Sequence, residues 1–147
     1  MTSGTDAVQN ALVPELTVSD YAASVAFYRD LLGFAVRYER MEEGFGFLEL
    51  GDVQLMLDQA DLGRTFAVGG APLETPFGRG VNFQIRVHAV TPILARLAEA
   101  GVAPYLPLED KWYRVDDIER GNRQFAVADP DGYLLRLFEC LGDRPVT

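Results

Sequence analysis

The sequence predicts an α+β fold of two β-α-β-β-β modules whose strands form curved mixed sheets. Three observations predict it. Alternating apolar runs and a capped amphipathic helix occur in the same order in both halves of the chain. The halves overlay, Val18 falling on Val87 and Gly33 on Gly101. The closing strands also match, with Val53-Gln54-Leu55-Met56-Leu57 falling on Tyr133-Leu134-Leu135-Arg136-Leu137. The expected organisation is a flexible arm over 1–10 and one domain over 11–142. Within that domain, module one covers about 11–60, a linker about 61–80 and module two about 81–140.

The elements follow in order. Val13-Pro14-Glu15-Leu16-Thr17-Val18 alternates as a first strand, and Ser19 is placed to cap a helix that runs through Leu32 to a left-handed Gly33. Tyr21, Val25, Phe27, Tyr28, Leu31 and Leu32 give that helix its apolar stripe. Strand patterns follow over 34–40, 45–50 and 53–58, the last two joined by Gly51-Asp52, a tight-hairpin pair. Residues 59–80 are rich in Gly, Pro, Ala and Thr and read as a connecting loop. The order then repeats. A strand over 81–87 precedes Thr91-Pro92, which has N-cap and first-turn chemistry, and a short helix ends at Gly101. Strands are expected over 102–106, 113–116, 123–128 and 133–139, with Asp129-Pro130-Asp131-Gly132 as the last turn.

Composition narrows the chemistry. The 147 residues carry a formal net charge of -9, from 13 Lys and Arg against 22 Asp and Glu, which disfavours nucleic acid and anionic membranes as partners. No apolar run is long enough to span a bilayer, and the start lacks the basic-then-apolar order of a signal peptide. A cytoplasmic protein is expected. The single Cys140 excludes an internal disulfide, and the single His88 excludes any site that needs two histidines. His88 reads as an exposed turn residue and Cys140 as a packing residue, and no serine or threonine has a histidine at useful spacing.

Alternation divides each strand into two faces. Val81, Phe83, Ile85 and Val87 take the core side, which leaves Asn82, Gln84 and Arg86 on the other. In the closing strands Leu134, Arg136 and Phe138 oppose Tyr133, Leu135 and Leu137, while Gln54, Met56 and Asp58 oppose Val53, Leu55 and Leu57. A face that mixes Met56, Phe138 and Val13 with polar groups fits a concave ligand pocket as well as a solvated sheet. On that face Glu15 and Asp58 are candidates to contact a ligand amine, or else to balance Arg86 and Arg136 in an ion-pair network. Lys111-Trp112-Tyr113-Arg114 is a candidate stacking lid, with a core or dimer contact as the alternative for Trp112. The surrounding Glu109, Asp110, Asp116, Asp117 and Glu119 read as an acidic loop.

Two segments carry a family resemblance. Ser24-Val25-Ala26-Phe27-Tyr28-Arg29-Asp30-Leu31-Leu32-Gly33-Phe34, after the strand at Leu12 to Asp20, and Phe125-Ala126-Val127-Ala128-Asp129-Pro130-Asp131-Gly132-Tyr133-Leu134-Leu135-Arg136-Leu137 resemble the vicinal oxygen chelate superfamily. That superfamily includes glyoxalase I, extradiol dioxygenases, and fosfomycin- and bleomycin-resistance proteins. The resemblance implies that a divalent ion, where a member binds one, would sit at Val13, Met56, Asn82 and Arg136. None of these is an anionic or imidazole ligand, so no metal and no other cofactor is expected. The chain then resembles the metal-free bleomycin-resistance branch, which implies a homodimer that sequesters a cationic or aromatic ligand, such as a bleomycin-type antibiotic, at the subunit interface. It departs from that branch at Arg120-Gly121-Asn122-Arg123, where a Trp-Gly pair is usual. The expected contacts are charge from Glu15 and Asp58, hydrogen bonds from Asn82, Gln84 and Arg136, and stacking surface from Trp112 and Tyr113. The alternative is an enzyme of the same superfamily, of lyase, isomerase or dioxygenase type, that acts on a small organic substrate without the usual metal site.

Overall fold

The computed structural model describes residues 8–146, which divide into two compact units at Thr75/Pro76. The first unit runs β1 (Glu15–Val18), α1 (Tyr21–Ala26, continued by π-helical turns over Phe27–Leu32), β2 (Ala35–Arg40), β3 (Phe45–Leu50) and β4 (Val53–Gln59). The second runs β5 (Asn82–Arg86), α2 (Thr91–Glu99), β6 (Leu106–Val115), β7 (Ile118–Ala128) and β8 (Leu134–Pro145). Each unit is a β-α-β-β-β module with a four-stranded mixed sheet, ordered β1-β4-β3-β2 in one and β5-β8-β7-β6 in the other. The first strand pairs in parallel with the last and the remaining pairs are antiparallel, as a helical crossover followed by two hairpins requires.

In the first unit, alternation buries Leu16, Val18, Leu55 and Leu57 with Tyr28 and Leu32 of the helix. The cap is Asp20, whose Oδ1 accepts from the Ala23 N–H at 3.3 Å; Ser19, the residue expected there, lies one position too early. The expected α-helix widens into π turns from Phe27, and the adjacent Phe27 and Tyr28 are both buried, their rings edge to face at 5.5 Å. Leu31 is only half-buried, and Gly33 at φ 94° closes the helix in the left-handed conformation that glycine adopts without strain. Gly46 is small for a different reason: a Cβ there would meet the Tyr21 hydroxyl, which donates to Glu39 across β3 at 2.6 Å. Residues 1–7 of the expected arm lie outside the described residues. Residues 8–10 are held against β4, where the Asn10 N–H donates to Gln54 Oε1 and Gln54 Nε2 donates to the Val8 carbonyl.

In the second unit, Ile85, Phe125, Val127, Leu135 and Leu137 are buried on one sheet face, and Ile93 and Leu97 are the buried stripe of α2. Val81 is 52% exposed and precedes the strand, so the core face begins at Phe83 rather than at Val81. Val90 caps α2, and Thr91 and Pro92 occupy its first turn, one position further in than the sequence suggests. The last three strands are far longer than expected. The separate strands expected over 102–106 and 113–116 are replaced by the one strand β6, β7 starts at Ile118, and β8 continues to Pro145. Cross-strand ion pairs sustain these extensions: Asp110 with Arg123 at 2.9 Å, Arg120 with Asp143 at 3.1 Å and Glu119 with Arg144 at 2.8 Å. At the Asp129 turn a buried carboxylate accepts from the N–H groups of Asp131 and Tyr133, both at 2.9 Å. No helix among the described residues is long and apolar enough to cross a membrane.

Candidate ligand-binding site

The sheet face of the second unit opposite its core is concave. Paired residues share a face, so the register assembles it: Gln84 lies beside Arg136, Arg86 beside Phe138, Phe138 beside Gln124, Cys140 beside Asn122, and Arg120 beside both Tyr113 and Asp143. Together they shape a groove of about 610 Å³, lined by Gln84, Arg86, Tyr113, Val115, Arg120, Asn122, Phe138, Cys140, Gly142 and Asp143. That volume is within the range of small-molecule cavities, and the wall has the usual mixture of apolar surface and a few placed polar groups. A smaller hollow of about 230 Å³ adjoins β5 on the same sheet, lined by Asn82, Tyr105, Leu106, Ala126, Leu134 and Arg136.

One buried glutamine, beside Phe138 in the register, holds the groove residue Tyr113. Gln124 is 1% exposed, and its Nε2 donates to Glu109 Oε2 at 2.8 Å and to the Tyr113 hydroxyl at 2.7 Å. Gln124 Oε1 is buried without a partner. At the β5 edge Arg136 Nη2 donates to Gln84 Oε1 at 2.6 Å.

Of the sequence-predicted residues, the structure brings Gln84 and Tyr113 into the groove and places Asn82 and Arg136 in the adjoining hollow. Trp112 is elsewhere. Neighbours on a strand point to opposite faces, and the Trp112 ring lies over Gly121, where a Cβ would sit 2.7 Å from it, under the Arg144 guanidinium at 4.1 Å. It therefore shares no wall with Tyr113. Most of the expected acidic loop is strand: Asp110 and Glu119 are spent on cross-strand arginines and Glu109 on Gln124, while Asp116 and Asp117 make the turn between β6 and β7. Cys140, read as a packing residue, is exposed in the groove. Asn122, Arg120 and Asp143 were not among the candidates. The signal for them was the continued alternation Arg120, Asn122, Gln124 against Gly121, Arg123, Phe125, which charged residues obscure in a hydropathy reading.

Glu15 and Asp58 belong to the first unit's sheet, on the face that also carries Met56, Phe47 and Phe45. Arg40 stacks on Phe45 there, its guanidinium 4.0 Å from the ring centre. Burial is the main cause that raises both carboxyls above their ordinary range; Asp58 further raises Glu15, Glu43 further raises Asp58, and Arg40 opposes the rise in each. A raised folded-state value means that the native protein holds the proton more tightly than the unfolded chain does. Stability contributed by these groups is accordingly lost as pH rises from the ordinary values, 4.5 and 3.8, through the raised ones. Asp58→Asn is expected to flatten that decline and to leave the protein more stable than wild type at pH 7, as urea unfolding at a series of pH values would show.

The positions that would hold a metal in the family do not fit one. Val13 precedes β1, Met56 offers a thioether, Asn82 a neutral amide, and Arg136 a fixed positive charge engaged with Gln84. Among the described residues no three His, Cys, Asp or Glu side chains cluster in a way that could hold a metal ion.

Comparison with known proteins agrees with this architecture. A bleomycin resistance protein from Geobacillus stearothermophilus is 29% identical over 133 residues, 86% of this chain and 94% of that protein, and one from Staphylococcus aureus matches to the same extent. The solved structure of TioX from Micromonospora sp. ML1 superposes with a TM-score of 0.68 at 22% identity, covering 90% of this chain and all of that one, which shows the shared fold. The family model for the Glyoxalase/Bleomycin resistance protein/Dioxygenase superfamily matches residues 9–137, from ahead of β1 into the first third of β8, and the chain belongs to that superfamily.

Proposed function

We propose that this chain is a noncatalytic binding protein of the bleomycin-resistance type, a cytoplasmic homodimer that sequesters a cationic or aromatic small molecule in a cavity completed at the subunit interface. The observation that carries this reading is the groove itself. It has ligand-sized volume, an aromatic and aliphatic wall in Phe138, Tyr113 and Val115, and amides at Gln84 and Asn122, but no side-chain nucleophile paired with a base. Sequestration needs complementarity and a slow off-rate, not a tuned acid or base. Support for the homodimer comes from exposure: Gln84, Arg86, Arg120 and Cys140 remain exposed, whereas a bound drug-sized ligand loses most of its surface to the protein. A second copy of the chain supplies the missing wall. The proteins it resembles at 29% identity are named for bleomycin resistance.

The test is a calorimetric titration of the purified protein with metal-free and with copper-loaded bleomycin. Saturable heat at about one drug per subunit is the expected result. Absence of heat, together with failure of bleomycin to compete with any other groove ligand, would remove bleomycin as the ligand.

A further inference from the structure

We propose that the β5 end of the groove is a subsite for an anionic oxyacid group, a carboxylate, sulfonate or phosphate, carried by an aromatic ligand. The inference rests on the sequestration reading and narrows it, favouring the aromatic ligand over the cationic one. Arg86 lines this end of the groove, and Arg136, in the adjoining hollow, donates to Gln84 of the groove wall. Arg86 sits beside Phe138 and Arg136 beside Gln84 in the register of β5 and β8, which makes the arginines diagonal neighbours on one face.

Their partners are the anomaly. The chain is strongly acidic, yet among the described residues neither Arg86 nor Arg136 has a carboxylate within ion-pair distance. The nearby acids of this face are occupied: Asp143 pairs with Arg120, and Glu109 accepts from Gln124. Arg136 has only the neutral oxygen of Gln84, and its Nε is buried with no acceptor. A partly desolvated cation without a counter-charge is costly unless something supplies the anion. Because Gln84 commits its oxygen to Arg136, its Nε2 is left as a further donor. Gln84 Nε2 and both guanidinium groups are donors, and two of the three are permanently charged, so a ligand ammonium would be repelled and an oxyanion held by charge-assisted bonds. Phe138, between the two arginines on the sheet face, offers its ring to the aromatic body behind that anion.

Three probes with one ring system test the assignment: 2-naphthoate, neutral 2-naphthamide and cationic 2-naphthylmethylamine. Occupancy is read by protection of Cys140, the only cysteine and exposed in the groove, from alkylation by N-ethylmaleimide. The expected result is at least a tenfold preference for naphthoate over the amide, with the amine weaker still. Arg86→Ala, on an exposed residue, and Arg136→Gln are each expected to erase most of that preference, naphthoate losing far more than the amide. A preference below tenfold, protection by the amine equal to that by the acid, no protection by any probe, or an unchanged preference in Arg86→Ala would overturn the subsite. The two readings fail separately. Bleomycin heat with an amine preference retains sequestration and discards the anion site, whereas naphthoate preference without bleomycin heat removes bleomycin as the ligand and retains the anion site.

Discussion

Phe125→Ala is expected to destabilise the second unit by about 4 kcal/mol, the scale for removing a fully buried aromatic ring. Phe125 is 0% exposed, and its neighbours on the core face are Leu137 across the ladder and Val127 two residues along. The strands around it are fixed on both sides by β6 and β8, so the cavity has little freedom to collapse. With single domains stable by only about 5–15 kcal/mol, a loss of that size removes a large part of the total. Urea unfolding followed by circular dichroism gives the measurement, and Phe125→Leu, which retains most of the volume, is expected to cost about 1 kcal/mol. A Phe125→Ala cost below that of the leucine variant would mean that the β7 face has been assigned the wrong way round.

That assignment shows what was legible in the sequence. Residues that needed only period-two alternation and a turn, such as Leu55 and Leu57 or Leu135 and Leu137, fall on the expected core face, and the repeated β-α-β-β-β order follows from them. Reading failed where charge replaced hydropathy. Beyond Arg123 on β7 and Glu139 on β8 the ladder continues through ion pairs whose members resemble loop residues when read singly, and only their pairing across strands makes them sheet. The groove is built largely on this stretch, so Asn122, Arg120 and Asp143 were missed with it. Trp112 and Tyr113 looked like one aromatic lid because the segment had no assigned strand before Tyr113; once β6 starts at Leu106, alternation must separate them. Glu15 and Asp58 fall on the expected face of their own sheet, where alternation alone decides the side, and they are not among the groove residues of the second unit.

Phe138→Ala is expected to weaken binding of either bleomycin or 2-naphthoate about 30-fold, equivalent to about 2 kcal/mol, the scale for burying one aromatic side chain. The stability of the protein should change far less, because Phe138 is only half-buried on the open face, while its chain neighbour Leu137 is fully buried on the other. Aromatic anchors at the centre of a site dominate binding energy, whereas flanking charges chiefly set which ligands are admitted. The two kinds of residue therefore separate in experiment. Loss of Phe138 should weaken the acid and the amide probes alike, keeping their ratio, and loss of Arg86 should change the ratio. Phe138→Tyr, which keeps the ring, should retain most of the affinity. If Phe138→Ala instead binds as tightly as wild type by the same alkylation-protection assay, the ligand does not lie on the β5–β8 side of the groove, and the arginines beside that ring lose their role with it.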